Sequence, residues 1–290
     1  MKRFGIIGDP VSHSMSPRLF TAAYHGRYPY DLIEGACFET SWERFLRDYD
    51  GINVTAPFKE NAFRAVDRLS PEARRIGAVN LVVKTADGTT TGFNSDYDGV
   101  LLAIREAIPV TSGKALVIGC GGAGKAAAAA ALDLGYELTL ANRNIAHAEQ
   151  LARSLGSVAT DRIPSPSISV IPLAALREAI LSADLILYTV PGPLDGYQPE
   201  AIRDILTAGG KPCALLEANY RDPVFLPNEP AAGQPMQDGF LYAMAPVPLP
   251  VCCTYISGRR WLFHQAAAGY IRFTGEAPDL DALSAALPAK

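Results

Sequence analysis

Two groups of residues in this 290-residue chain are typed and spaced for chemistry. The first is Gly119, Gly121 and Gly124, in the order GxGxxG, directly after the apolar run Ala115 to Ile118 and before an alanine-rich run. A buried strand feeding a glycine turn and then a helix makes a phosphate cradle. Gly119 permits the tight turn, Gly121 leaves the backbone bare where a pyrophosphate must approach, and Gly124 lets helix and strand pack closely. The helix N-terminus adds free N–H groups and a partial positive charge. The next strand, Glu137 to Leu140, leads to Asn142 and Arg143, with no acid to meet a ribose 2′-hydroxyl. A guanidinium about 20 residues beyond the glycines suits a 2′-phosphate, so NADP is expected over NAD. The plainer alternative is a solvated arginine beside a structural glycine turn.

The second group is four polar runs in the first third of the chain: HSMSP (13–17), NVTAPFK (53–59), GAVN (77–80) and GFNSD (92–96). Ser14 and Ser16 lie two apart, so in an extended segment both hydroxyls face one side, an arrangement suited to a small carboxylate. Ser16 could instead cap a helix opened by Pro17. In the second run a strand ends at Val54, and Pro57 is expected to start a helix with Lys59 in its first turn. A lysine there is disfavoured by the helix dipole, which fits a residue kept for proton transfer rather than for stability; an exposed lysine reaching into water is the bland reading. Asp96 precedes the apolar helical run of Val100, Leu101 and Ile104, where capping alone would account for it. Together the runs supply hydroxyls, amides, one cation and one carboxylate, the set a polyhydroxylated acid needs.

The elements that must hold these residues alternate between strand and helix. Strands are expected at Arg3–Ile7, Asp31–Ala36 and Ile52–Thr55, and helices at Pro17–His25, Trp42–Arg47 and Phe58–Val66, giving α/β character. No second glycine fingerprint follows those strands, so residues 1–108 form the candidate substrate domain. Residues 109–257 form the nucleotide-binding domain, with further strands at Leu185–Tyr188 and Ala214–Glu217. Seven prolines between Pro223 and Pro250 exclude a long helix or a central strand there. Helical spacing returns in WLFHQAAAGYIRF (261–273), which is expected to pack back on the first domain and make it discontinuous, completed by 258–290. A net charge of −4 with interspersed signs gives no stripe for nucleic acid, and no apolar segment reaches membrane-spanning length. The apolar run after Met1 is too short for a signal peptide, and five cysteines without CxxC spacing imply neither a disulfide framework nor a zinc site. A cytoplasmic protein is expected, and Cys120 reads as a small buried residue.

With these runs in order, the chain resembles the shikimate dehydrogenase family. SxSP, NVTxPxK, GAxN, GxNxD and a GxGGA turn followed by NR occur in the family's sequence order, and the likeness runs from GDPVSHSMSP to the helix after Gly258. The resemblance implies an N-terminal α/β substrate domain, a Rossmann-type NADP-binding domain and C-terminal helices returning to the first domain. It implies reversible NADP-dependent reduction of 3-dehydroshikimate to shikimate by a monomer or homodimer, with no metal. Residue by residue, Ser14 and Ser16 would bind the substrate carboxylate, Thr55 and Asn80 would meet ring oxygens, and Lys59 and Asp96 would form the catalytic pair. Tyr220 in EANYRDP would approach the carboxylate, and Gln265 would bond a ring hydroxyl. On the cofactor side the likeness implies Gly119, Gly121, Gly122, Ala123 and Gly124 in the glycine loop, Asn142 and Arg143 at the adenosine phosphate, and Thr189, Val190 and Gly258 as further contacts.

The chain departs from the family pattern in places. The usual NATPxGM stretch is YTVPGPL (188–194), Trp261 replaces a methionine that faces the nicotinamide, and the 223–250 segment is unlike the family's. His147 stands where a second basic residue often grips the 2′-phosphate, so NADP preference is expected to weaken as pH rises. The weighed alternatives are a quinate/shikimate dehydrogenase preferring NAD, and a ligand-sensing relative without turnover.

Overall fold

Strands covered by helices on both faces read as continuous apolar runs, and FGIIG (4–8), ALVI (115–118) and LILY (185–188) follow that rule. The computed structural model describes residues 1–109, 112–156, 167–194, 196–227 and 246–287. These form two compact units, one of Met1–Gly99 with Phe263–Leu287 and one within Val100–Leu262.

In chain order the first unit holds β1 (Phe4–Gly8), α1 (Ser16–Ala23), β2 (Tyr30–Glu34), α2 (Phe38–Asp48), β3 (Gly51–Val54), α3 (Lys59–Ala65), β4 (Arg68–Leu69), α4 (Pro71–Ile76), β5 (Leu81–Lys84), β6 (Thr90–Phe93) and the start of α5 (Ser95–Ala107). Its six-stranded sheet runs β2-β1-β3-β5-β6-β4, with β5 antiparallel to both β3 and β6. Every residue of β1 and of β3 is buried. One face packs Ile7, Ile33, Ile52 and Val82 against Phe38 and Phe45 of α2 and Ala62 of α3.

The second unit continues with β7 (Lys114–Ile118), α6 (Gly122–Asp133), β8 (Glu137–Ala141), α7 (Ile145–Gly156), β9 (Ile168–Ile171), α8 (Leu176–Ser182), β10 (Leu185–Tyr188), α9 (Pro199–Gly209), β11 (Cys213–Glu217), β12 (Phe225–Leu226), β13 (Val247–Pro248) and β14 (Cys253–Ile256). Its six-stranded sheet, β14-β11-β10-β7-β8-β9, is parallel throughout. Residues Ala126 to Ala131 of α6 have no exposed surface, because a methyl-sided helix can lie close against the sheet. Helix α10 (Gly258–Thr274) runs from this unit into the first, where α11 (Leu280–Ala285) follows. There Phe273 stacks on Phe4 at 4.9 Å, and Phe20 meets the Tyr270 ring edge-on at 4.8 Å.

Several expectations are corrected by the structure. Pro57 does not open α3: the chain turns through residues 55–58, with Phe58 N–H donating to the Thr55 carbonyl, and Lys59 is the first helical residue. The hairpin of β5 and β6, the short β4 and α4 were not anticipated. In the proline-rich stretch, β12 and β13 pair over two residues each, while 228–245 lie outside the described residues. Among the described residues no helix is long and apolar enough to cross a membrane.

Candidate active site

The register of the first sheet brings the polar runs to one edge. Asn53, Leu81 and Phe93 lie opposite one another across β3, β5 and β6. Since β5 is antiparallel to both neighbours, β3 and β6 point the same way and leave the sheet at the same edge, about 10 Å apart at ordinary strand spacing. Beyond β3 comes Lys59, beyond β6 comes Asp96, and 77–80 enters β5 between them. Lys59 Nζ donates to Asp96 Oδ2 at 2.5 Å. The Asp96 side chain keeps 9% of its surface exposed and that of Lys59 21%, so the ion pair is shielded on most sides yet reachable. Capping does not explain Asp96, because Asn94 Oδ1 performs it by accepting from Tyr97 N–H at 3.3 Å.

β1 ends at the same edge, and the loop after it carries the serines. Thr55 N–H donates to the Ile7 carbonyl at 3.0 Å and Asp9 N–H to the Ala56 carbonyl at 3.1 Å, which fastens the serine loop to the Thr55 turn. Thr55 is half-buried there. Ser14 Oγ donates to Ser16 Oγ at 3.2 Å and accepts from Ser16 N–H at 3.2 Å, so the two hydroxyls converge. Neither caps α1, whose N-cap position is Met15 without a side-chain bond. Tyr30, half-buried at the start of β2, hydrogen-bonds Ser16 and donates to Asn53 Oδ1 at 2.7 Å; desolvation pushes its phenol well above the usual range. Tyr270 OH donates to the Ser16 carbonyl at 3.2 Å. Gln265 is half-buried on α10, one turn before Gly269, where an added Cβ would meet Leu81 Cδ1 at 2.8 Å and Ser95 Oγ at 3.5 Å. Asn80 Oδ1 accepts from Ser95 N–H at 2.7 Å and from Ser95 Oγ at 3.3 Å, which anchors the start of α5.

In the second unit the glycines behave as their spacing requires. Gly119 has φ +98°, a conformation that side chains rarely adopt. A Cβ on Gly124 would lie 1.9 Å from the Gly119 carbonyl oxygen, whereas one on Gly121 would meet nothing within 4 Å. Close packing and a bare, open backbone thus occur at the two positions expected for each. Gly122 and Ala123 form the first turn of α6, N-capped by Gly121 without a side-chain bond. Thr189 Oγ1 donates to the Ile118 and Gly119 carbonyls at 3.0 and 2.9 Å, and Val190 Cγ1 lies 2.9 Å from where a Gly119 Cβ would stand. Asn142 braces the turn, accepting from Cys120 N–H at 3.2 Å and donating to the Asn144 carbonyl at 2.8 Å. Arg143 and His147 are exposed at the end of β8 and the start of α7. Burial pushes the Cys120 thiol up to about 11, which makes it an inert packing residue.

Residues 6–82 match the shikimate dehydrogenase substrate binding domain, and residues 93–194 match the alanine dehydrogenase/PNT C-terminal domain. The chain is 38% identical over 236 residues to a shikimate dehydrogenase (NADP(+)) of Rubrobacter xylanophilus, a match covering 75% of this chain and 81% of the relative. This chain belongs to the shikimate dehydrogenase family. A second member, from Haloarcula marismortui, is 31% identical and covers 99% of this chain and 98% of its own. The crystal structure of shikimate 5-dehydrogenase from Thermus thermophilus in complex with NADP(H) and shikimate superposes with a TM-score of 0.75 at 27% identity, covering 99% of this chain and 98% of that one.

The remaining residues expected of a shikimate dehydrogenase lie at the end of β11 and beyond β14. Tyr220 is half-buried in the second unit, and its hydroxyl accepts from Arg221 Nη2 at 3.2 Å. A Cβ on Gly258 would lie 2.6 Å from the Glu217 and Ala218 carbonyl oxygens, so only glycine allows α10 to start there. Trp261 is buried, and its Nε1–H has no partner within the described structure. Sequence reasoning missed Glu217, which has no exposed surface. It accepts from Val224 N–H at 2.7 Å, Phe225 N–H at 3.2 Å and Tyr255 OH at 3.0 Å. Burial pushes its carboxyl up to about 7 against the pull of those donors. An acid closing the apolar run CALL was the available signal. Tyr30 and Asn94 were missed as well.

Proposed function

We infer that this chain is an NADP-dependent shikimate dehydrogenase, interconverting 3-dehydroshikimate and shikimate. The observation that carries the reading, beyond family membership, is the 2.5 Å Lys59–Asp96 pair at the sheet edge that also presents Ser14, Ser16 and Thr55. The glycine turn fits a dinucleotide: its backbone is open at Gly121, and α6 follows at once with uncapped N–H groups. Gly119 and the 121–124 run would hold the pyrophosphate, Arg143 and His147 the 2′-phosphate, and Thr189, Val190 and Gly258 the remaining contacts. Bound NADP(H) supplies or accepts the hydride.

The protein's own residues handle binding and the proton. Ser14 and Ser16 donate hydroxyl hydrogen bonds to the substrate carboxylate, with Tyr220 and Gln265 as further contacts. Lys59 Nζ carries three N–H donors. One is held by Asp96, leaving the others for the ring oxygen that changes between ketone and alcohol. In the reducing direction Lys59 gives that oxygen its proton, and Asp96 keeps the ammonium aimed and charged. We assign residues 1–108 with 258–290 to substrate and 109–257 to cofactor. Residues 263–287 group with the first unit, which supports the discontinuous arrangement. The same reading makes it a cytoplasmic monomer or homodimer.

The test follows the absorbance of reduced nicotinamide for shikimate and quinate with NADP and NAD. Shikimate with NADP is expected to give the highest kcat/KM. Lys59→Ala and Asp96→Ala should each lower kcat about 100-fold or more in folded protein. Near-normal turnover in either variant removes the pair from the mechanism.

A further inference from the structure

We propose that Asn94 is a positioning residue for the Lys59–Asp96 pair, acting through residues 78–80; this rests on the reading of that pair as catalytic. The two partners come from separate helices, and each is at its helix's start. α3 is seven residues long, begins at Lys59 and has no side-chain cap. Such a short helix is poorly fixed by its own hydrogen bonds. Its orientation has to come from a neighbour.

Residues 78–80 are that neighbour on both sides. Val79 N–H donates to the Lys59 carbonyl at 3.0 Å, tying the segment to the first residue of α3. On the other side Asn80 N–H donates to the Phe93 carbonyl at 3.0 Å, and Asn80 Oδ1 holds Ser95 N–H at 2.7 Å. Asn94 closes the arrangement. Its Nδ2 donates to the Ala78 carbonyl at 3.0 Å while its Oδ1 caps α5 through Tyr97 N–H at 3.3 Å.

Asn94 has no exposed surface, so it acts on the pair only through these bonds. A cap alone requires an acceptor, which serine or aspartate would supply as well. The Nδ2 donor is what asparagine adds, and it points at the segment that also grips Lys59. Asn94 thereby fixes the spacing between the starts of α3 and α5, and with it the distance between Lys59 Nζ and Asp96 Oδ2.

Asn94→Asp and Asn94→Ser separate the two roles. Both keep a cap acceptor. The ionised aspartate cannot donate to the Ala78 carbonyl, and the serine side chain is one atom shorter and cannot serve both partners. Each is measured beside wild type and Asp96→Ala for kcat, KM of shikimate and of NADP, the pH dependence of kcat, and Tm. Misplacement of a reacting group by about 1 Å can cost on the order of 100-fold. Both variants are therefore expected to lose about 10-fold or more in kcat, with KM for NADP unchanged and the pH profile of kcat displaced. For Asn94→Asp the deficit should shrink at the acid end, where a protonated carboxyl regains a donor.

Wild-type kcat and pH profile in either folded variant overturns the proposal, and a lower Tm with kcat intact reduces Asn94 to a helix cap. Because aspartate matches asparagine in shape, Asn94→Asp decides the matter if the serine variant fails to fold. If neither folds at all, Asn94 is structural and the proposal fails. Normal turnover in Asp96→Ala would instead sink the catalytic reading beneath it.

Discussion

Glu217 should make the protein less stable as pH rises through the neutral range. In the folded state burial lifts its carboxyl to about 7 from an ordinary 4.5, so between those values the folded chain holds a proton that the unfolded chain has released. Stability is then fully present below the unfolded value, declines as pH rises, and levels off above about 7. The lift from 4.5 to about 7 corresponds to roughly 3 kcal/mol between pH 4.5 and 8. With no exposed surface on Glu217, solvent screening does not reduce that figure. The assay is urea unfolding at pH 5, 6, 7 and 8 for wild type and Glu217→Gln. Glutamine does not titrate, so the difference between the curves isolates this residue from the carboxylates held low elsewhere, such as Asp67 and Asp87. The gap by which wild type exceeds Glu217→Gln in stability should therefore fall between pH 5 and pH 8. A gap independent of pH, or one that widens upward, would show that the hydrogen bonds from Val224, Phe225 and Tyr255 outweigh burial.

Two further outcomes follow from the site. Ser14→Ala and Ser16→Ala should raise KM for shikimate more than they lower kcat, since carboxylate binding is shared by ground and transition states. Tm should fall only slightly, since the one helix-start bond at stake is that from Ser16 N–H to Ser14 Oγ; a loss of Tm with intact kinetics would refute the assignment. Arg143→Ala should weaken NADP roughly 5- to 150-fold while leaving NAD nearly unchanged, with raised salt reproducing part of the loss. Titration of both cofactors checks this, and equal losses would make Arg143 a loop residue only.

What was legible in the sequence was local. β1, β3, β7, β8, β10 and β11 are apolar runs bounded by turn residues, and the glycine spacing dictated both the open position at Gly121 and the contact between Gly124 and the Gly119 carbonyl. The polar runs were recognisable as a set, but not the reason they meet. That reason is the antiparallel β5, whose four residues start directly after GAVN and pair on both sides. A strand so short, next to TTGF, gives no periodicity to read. Long-range partners were hidden for the same physical reason. Nothing near Glu217 in the sequence announces Tyr255, and nothing near Asn94 announces the Ala78 carbonyl. The helix expected from Pro57 shows the limit of a start signal, since an intervening turn moved the first helical residue to Lys59.

The aromatic packing of Phe4, Phe20, Tyr270 and Phe273 ties the first strand of the chain to its penultimate helix. During synthesis the ribosome releases β1, β3 and the polar runs early, but the rings that cover them emerge only after the whole second unit has been made. The nucleotide-binding unit is nearly continuous in sequence and can fold first, as domains do on the ribosome. The substrate-binding sheet must wait with Phe4 and Phe20 uncovered, bearing a loop-closure delay that contacts of such separation impose. Synthesis and completion are thus out of step: the half that carries the Lys59–Asp96 pair is begun first and finished last.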